Sequence, residues 1–358
     1  MWYNRRGGEG REAKGVTTVS LMKYYLHILS GLRMKKINEC LDRCHELCGK
    51  PKALMFADML WCASRYGSGF YDYMMYGFFD RTAAERDTYL TRVRNKKLVA
   101  YMNDPAFIDG IDNKHEFNRR FGAYLRRDQM DGAGASQADF ERFMDGRDAC
   151  FAKPIDGDSG RGVEKLYRRD FDSLEAMFAH IQAKGHCVIE QCLVQHPEMS
   201  ALYPHAVNCM RIVTDIGDDG KPYINYVVLK SGSGGGYCDN SGQGGLICAV
   251  DKQTGVVSSC ATDDLIAHRY DVHPDTGVTF LGFRIPLFEQ AKQLCLTAAM
   301  EIPQVRHIGW DVAITPDGPA FIEGNTYPGT DLCQLYWNTP GRQGLMPFLK
   351  SILPNWKY

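Results

Sequence analysis

Apolar positions along this chain switch between helical and strand spacing, and the switches mark out its elements. From about Val19 to Cys48, and again from Ala53 to Tyr66, apolar residues recur at helical spacing. Gly49-Lys50-Pro51 and Gly67-Ser68-Gly69 stop those two helices. A dense aromatic run from Phe70 to Phe79 follows. It predicts packing of the N-terminal helices onto the rest of the protein; a ligand-facing patch is the alternative. Thr82-Ala83-Ala84-Glu85 is a capping box that opens a third helix. Asn113 caps a further helix with Phe117, Phe121 and Leu125 on its inner face, and Ser136 begins another that ends at Gly146.

Beyond that point strands take over. Ala149 to Lys153 is a short buried strand ending in a lysine, and it feeds the Gly-rich run Ile155 to Val163. Asp172 to Lys184 is helical, and Cys187 to Leu193 reads as a strand that leaves its sheet at His196-Pro197. Val207 to Thr214 and Tyr223 to Lys230 flank the turn Asp218-Asp219-Gly220, and Leu246 to Val250 adds another strand. Between them Ser231 to Gly245 is very Gly-rich, which suits either a lid or a plain loop. Ile285 to Ile302 is an amphipathic helix with Pro286 in its first turn, and Pro347 to Leu353 is a closing helix. Strand–loop–strand units with helices between them predict an α+β protein with two mixed-sheet lobes and a cleft.

The most informative stretch is His307 to Thr330. Ile308, Trp310, Val312 and Ile314 alternate with Gly309, Asp311, Ala313 and Thr315, and Pro316-Asp317-Gly318-Pro319 makes the turn into Phe321 to Asn325. A hairpin centred near Asp317 sets Asp311 opposite Glu323, with Asn325 on the same face two residues on. Directly opposed residues lie ~5 Å apart, and like charges there destabilise the pair. Two carboxylates and an amide oxygen converging on one spot suit a hard divalent cation such as Mg²⁺. Taken alone, the same hairpin is equally a surface turn with a solvated polar face.

Composition narrows the class. The chain has 358 residues, 44% hydrophobic and 24% charged, with a formal charge of -1. That balance gives no electrostatic case for nucleic acid or an anionic membrane. No apolar run approaches the ~20 residues that span a bilayer, and the N-terminus lacks the apolar core of a signal peptide. The 13 cysteines point to reduced thiols in a cytoplasm. Cys40, Cys44 and Cys48 share a helix face beside His45; with no second Cys pair to complete a zinc site, buried thiols are the better reading.

From roughly Phe56 to the end, and most strongly from Asn208, the chain resembles the ATP-grasp superfamily, specifically the sugar-transfer-associated ATP-grasp group. The stretch Gly309-Trp310-Asp311-Val312 through Glu323-Gly324-Asn325-Thr326-Tyr327-Pro328-Gly329 is also similar to the metal-binding end of D-alanine–D-alanine ligases. The Gly and charge content of the N-terminus reads as a flexible arm over 1–18, followed by a helical region over 19–110; the resemblance implies a first lobe over 111–192 and a second over 193–358. It implies ATP and two Mg²⁺ ions, with Asp311, Glu323 and Asn325 as metal ligands. Lys153 would contact the α- and β-phosphates beneath a loop carrying Gly157, Ser159, Gly160 and Gly162, with Lys114 as an earlier nucleotide lysine. Glu190, Gln191 and Leu193 would form the adenine hinge. Lys230 would reach the γ-phosphate, and Arg211 would stabilise the acyl phosphate and tetrahedral intermediate.

Two departures from the ligases stand out. Gly309 occupies a position where they carry a basic residue, a charge that Arg211 would replace. The ribose-binding acid is either Glu198, by distance from the hinge, or is replaced by Asn208. The implied activity is an ATP-dependent carboxylate–amine ligase that forms an amide through an acyl phosphate, acting on an amino acid, a sugar-linked carboxylate or both in polysaccharide or related biosynthesis. Alternatives are a phosphotransferase and a non-catalytic nucleotide-binding partner of glycosyltransferases.

Overall fold

The computed structural model describes residues 31–154, 162–185, 188–263 and 268–358. The arm over 1–18, the beginning of the first helix, and Gly157, Ser159 and Gly160 lie outside the described residues. Helices Gly31–Cys48, Lys52–Tyr66 and Phe70–Met75 build the N-terminal region. Gly67 ends the second of these in the left-handed conformation, and its N–H donates to the Ala63 carbonyl. The aromatic run is core: Tyr73, Tyr76, Phe78 and Phe79 are buried with Met55, Met59, Tyr66 and Leu335. Cys40 and Cys44 are buried in the same cluster, and desolvation pushes the Cys40 thiol up to about 12. Thr82 caps its helix as expected, but that helix spans only Ala83–Asp87. A separate helix, Arg92–Met102, follows; its sequence is so rich in Lys, Arg and Asn that no clear apolar stripe announces it.

The first lobe is a four-stranded sheet of β1 (Gln129–Asp131), β2 (Ala149–Lys153), β3 (Glu164–Tyr167) and β4 (Val188–Gln191), in the order β1-β4-β2-β3. Helices Gln137–Met144 and Leu174–Ala183 cover one face, burying Cys150, Ala152, Leu166 and Ile189 beneath them. Strand alternation therefore turns Phe151, Lys153 and Glu190 to the other face.

The second lobe is a seven-stranded sheet of β5 (Cys209–Ile216), β6 (Pro222–Ser231), β7 (Leu246–Val250), β8 (Ala261–Thr262), β9 (Arg269–Tyr270), β10 (His307–Thr315) and β11 (Gly318–Asn325). Its order is β11-β10-β5-β6-β7-β8-β9. The sequence suggests mixed sheets; every pairing among the described strands is antiparallel. Helix Phe288–Met300 packs on one face, over Met210, Ile212, Val227, Leu229, Trp310 and Phe321. Helix Lys114–Phe121, capped by Asn113, joins this same core. Residues 111–125 thus pack with the second sheet, because Phe117 and Phe121 meet the stacked rings of Trp310 and Phe321. That packing also explains Gly324, where a Cβ would lie 2.7 Å from both Ile111 and Phe117.

The sheet's opposite face carries Val213, Tyr226, Val228 and Ile247 against Leu332, Cys333 and Leu345. The segment after β11 continues from there onto the N-terminal helices. Arg81 donates to the Tyr336 carbonyl at 3.2 Å, and Arg342 pairs with Glu85 at 2.6 Å and Asp80 at 3.0 Å. No helix among the described residues is long and apolar enough to cross a membrane.

Gly77 shows how tight this junction is. It has φ +66, and a Cβ there would lie 2.0 Å from the Tyr336 ring. Gly77→Ala is expected to destabilise the protein by roughly 2–4 kcal/mol, combining the left-handed penalty with overpacking. Gly146→Ala is the control: φ is +71 but nothing lies within 4 Å, so only about 1–2 kcal/mol is expected. Urea unfolding followed by circular dichroism compares the two; equal losses would show that the Tyr336 contact is slack.

Candidate active site

Three neighbouring strands bring three charged side chains into one row. On β10, Asp311 is paired directly with Arg211 of β5 on one side and with Glu323 of β11 on the other. The Arg211 guanidinium forks onto Asp311, with Nε donating to Oδ1 and Nη2 to Oδ2. Lys230, near the end of β6, donates to the same Oδ2 at 2.8 Å. Gly309 makes room for this arrangement: a Cβ there would lie 3.1 Å from Arg211 Cδ and 2.8 Å from Pro328. The guanidinium thus lies against the position where a basic side chain is missing.

The first lobe contributes a second charged group. Lys153 Nζ donates to Glu190 Oε2 at 2.5 Å, and Arg127 Nη2 donates to Oε1 at 3.0 Å. Arg127 ties this group to the second lobe, since it also donates to the Phe321 and Ile322 carbonyls of β11. Lys114 Nζ donates to the Pro154 carbonyl at 3.0 Å, tying its helix to the strand end that enters the Gly-rich loop. At the far end of that loop Gly162 has φ +72.

The sugar-transfer-associated ATP-grasp family matches residues 93–352. The chain is a sugar-transfer-associated ATP-grasp protein. No curated protein matches it. Among solved structures it is similar to the ATP-grasp ligase PsnB complexed with minimal precursor, at 16% identity and TM-score 0.41, covering 70% of this chain and 62% of that one. It is also similar to N5-carboxyaminoimidazole ribonucleotide synthetase in its ADP complex, at 10% identity and TM-score 0.38, covering 62% and 46%. The D-alanine–D-alanine ligase from Coxiella burnetii matches at 10% identity and TM-score 0.37, covering 68% and 53%. The ATP-grasp protein thus spans less than two thirds of the length of the first of these, PsnB.

Other residues of this ATP-grasp protein fall less neatly. Asn325 faces the row, but its side-chain oxygen accepts the Tyr327 N–H at 2.7 Å. Gln191 is engaged with Asp128 through both its backbone N–H and its side-chain oxygen, while Leu193 lies beyond the strand. Glu198 is exposed in the first turn of helix Pro197–Leu202. Asn208 corrects the sequence reading. It is fully buried, its amide donates to Met199, Tyr203 and Gln195, and its oxygen accepts from Ser231 and Gly232. With both polar atoms of its side chain committed, Asn208 braces the root of the Gly-rich loop and has no side-chain group left to offer a ribose.

Two residues escaped the sequence reading. Arg127 lies in a basic pair that looks like solvated surface. Asp239 lies inside the Gly-rich loop, where it accepts from the Cys209 N–H at 3.0 Å and its thiol at 2.6 Å and sits 3.8 Å from Lys230 Nζ. No spacing rule marks either residue.

The charges of this cleft are unequally compensated. Burial alone would raise Asp311, but Arg211 and then Lys230 overcome it and hold the carboxyl well below its usual range. Glu323 goes the other way. Water reaches it from the open cleft, yet protein crowds its remaining sides, and this desolvation, followed by the Asp311 charge, raises its pKa. Among the described residues no group of three His, Cys, Asp or Glu side chains is arranged to hold a metal ion. The donor set is two carboxylates and one amide, and the residual negative potential at Glu323 fits a hard cation.

Glu190 is desolvated too, but Lys153 and Arg127 bring it down to about 2. Its ordinary value is about 4.3, so its contribution is complete above that and disappears as pH falls toward 2. Urea midpoints of the wild type should hold from pH 7 to 5 and fall steeply below about 4. Glu190→Gln should be less stable at pH 7, with two cations left unpaired, and should fall less steeply in acid. Parallel curves for the two proteins would remove Glu190 from the acid-sensitive set.

Proposed function

We propose that this ATP-grasp protein is an ATP-dependent carboxylate–amine ligase. The observation that supports this best is the Arg211–Asp311–Glu323 row with Lys230 beside it. A carboxylate oxygen of one substrate attacks the γ-phosphorus of ATP, the bond to the β-phosphate oxygen breaks, and ADP leaves. An amine nitrogen then attacks the acyl carbon, phosphate departs with the C–O electron pair, and the nitrogen gives up its proton to yield the amide. Phosphoryl transfer of this kind asks for positioning and charge neutralisation more than for covalent help. Lys153 binds the α- and β-phosphates, Lys230 the γ-phosphate, and Arg211 the anionic acyl phosphate. Bound Mg²⁺, two ions as the family implies, would be held by Asp311, Glu323 and Asn325 and would neutralise the triphosphate. The substrates we favour are an amino acid and a sugar- or amino-acid-borne carboxylate.

An acyl phosphate must be kept from water, and the Gly-rich loop suits that task. It crosses the cleft: the Tyr237 hydroxyl donates to the Val163 carbonyl at 3.4 Å, and the ring lies 6.3 Å from Phe151. Tyr203 donates to the Gly236 carbonyl at 3.0 Å and His273 bonds the Gly232 carbonyl at 2.8 Å, so the loop has a fixed root and a reaching tip.

The test is a coupled ADP-release screen of carboxylic acids crossed with amines, with products weighed by mass spectrometry. An amide mass is expected; a phosphorylated acid in its place would mean phosphotransfer. Glu323→Gln should lose ADP release by about 100-fold or more. Because the Glu323 and Asp311 carboxylates stand directly opposite each other and like charges so placed destabilise the pair, the same variant should melt higher than wild type without divalent ions. Lys153→Ala should chiefly raise the KM for ATP.

A further inference from the structure

Arg127 has no place in the reaction as derived, yet among the described residues its side chain is more enclosed than those of Lys153, Arg211 and Lys230. Its side chain is 2% exposed, although it lies on the short connection between helix Lys114–Phe121 and β1. Nη2 donates to Glu190 Oε1 at 3.0 Å and to the Ile322 carbonyl at 3.1 Å; Nη1 donates to the Phe321 carbonyl and to that of Leu125 at 3.3 Å. One planar fork therefore holds the first lobe's carboxylate and two carbonyls of β11.

The choice of carbonyls matters. The β10–β11 register pairs Asp311 with Glu323 and Val312 with Phe321, so Ile322 is the extra residue of a bulge. A bulge re-aims the side chains beside it and leaves its own backbone outside the ladder. Arg127 takes up the carbonyl freed by that bulge, immediately before Glu323. At its other end it holds one oxygen of Glu190, whose second oxygen holds Lys153.

We propose that Arg127 is a positioning residue for the nucleotide: it fixes the separation between Glu190 and the Glu323 bulge, and it keeps Glu190 seated when Lys153 turns from that carboxylate to a phosphate. This rests on the ATP-dependent reading given above. A single ammonium cannot replace the fork, since it serves as a point charge and lacks the planar array of donors.

The experiment measures Mg·ATP binding by calorimetry, ADP release, and thermal midpoints for wild type, Arg127→Lys and Arg127→Met. Wild type must bind Mg·ATP; if it does not, the ligase reading fails before Arg127 is in question. With wild-type binding in hand, Arg127→Lys is expected to melt near wild type while binding Mg·ATP at least about tenfold more weakly. Arg127→Met should be weaker still, and Arg127→Met combined with Glu190→Gln should regain thermal stability, since the stranded carboxylate is gone, without regaining affinity. Arg127→Lys binding within twofold of wild type overturns the proposal. So does a loss of affinity that tracks the loss of thermal midpoint across the series, or an affinity that returns with stability in the double variant.

Discussion

A carboxylate set into the middle of a β-sheet costs several kcal/mol unless cations and hydrogen bonds compensate it on the spot. Asp311 is such a group: it is 3% exposed, and Arg211 and Lys230 are both committed to it. The architecture of the second lobe serves this compensation. Arg211 has to be on the adjacent strand at the matching register, Lys230 on the strand beyond, and residue 309 has to be glycine so that the guanidinium can lie flat. Trp310 and Val312, with the opposite parity, anchor the same strand in the apolar core beneath.

Glu323 is the counterweight. It is the acid of the row whose pKa is pushed up, and it sits where water and ligands can reach it. The two carboxylates differ in compensation: Asp311 is matched on the spot by Arg211 and Lys230, whereas burial and the Asp311 charge raise Glu323. Charge left unsatisfied in a cleft is characteristic of sites that bind, because the ligand supplies what folding did not. The Gly-rich loop reaches the same cluster through Asp239, 3.8 Å from Lys230 Nζ, so the loop and this lysine are electrostatically linked.

How much of this was legible in the chain depended on whether a signal was local. The strand alternation and turn chemistry of 307–325 announced the hairpin, and Asn113, Ser136 and Thr82 marked helix starts through local hydrogen bonds; but the turn pairs Thr315 with Gly318, and only the extra residue of the Ile322 bulge brings Asp311 opposite Glu323. β1 and β3 were not legible, being three and four residues long and formed by pairing with distant partners. The lobe to which 111–125 belongs was hidden for the same reason: the apolar face of Phe117 and Phe121 was plain, but not that Trp310 and Phe321 would meet it. In the site, Lys153, Glu190, Arg211 and Lys230 were marked by the family resemblance, since by position alone each reads equally as a solvated strand end or sheet-edge charge. Arg127 and Asp239 could not, since their roles come from acceptors 63 and 195 residues away in one case and from a fold-back of 30 residues in the other. Asn208 was misread because a buried amide bracing backbone carbonyls has the same one-letter signature as one that reads a sugar.

The embrace between the N-terminal helices and the tail of the chain bears on where this protein can be divided. The family's match begins at residue 93, yet Leu335 belongs to the helices' own core, and Gln334 exchanges hydrogen bonds with Leu90. That tail leads directly out of β11, the strand that carries Glu323. Excising the helices at the family boundary would strip Leu335 and Tyr336 of their covering and leave Gln334 without its Leu90 partners, loosening the stretch that follows the acidic hairpin. The helical region is thus part of the protein's foundation, and grafting the family unit alone onto another protein would transplant a cleft whose far wall has lost its buttress.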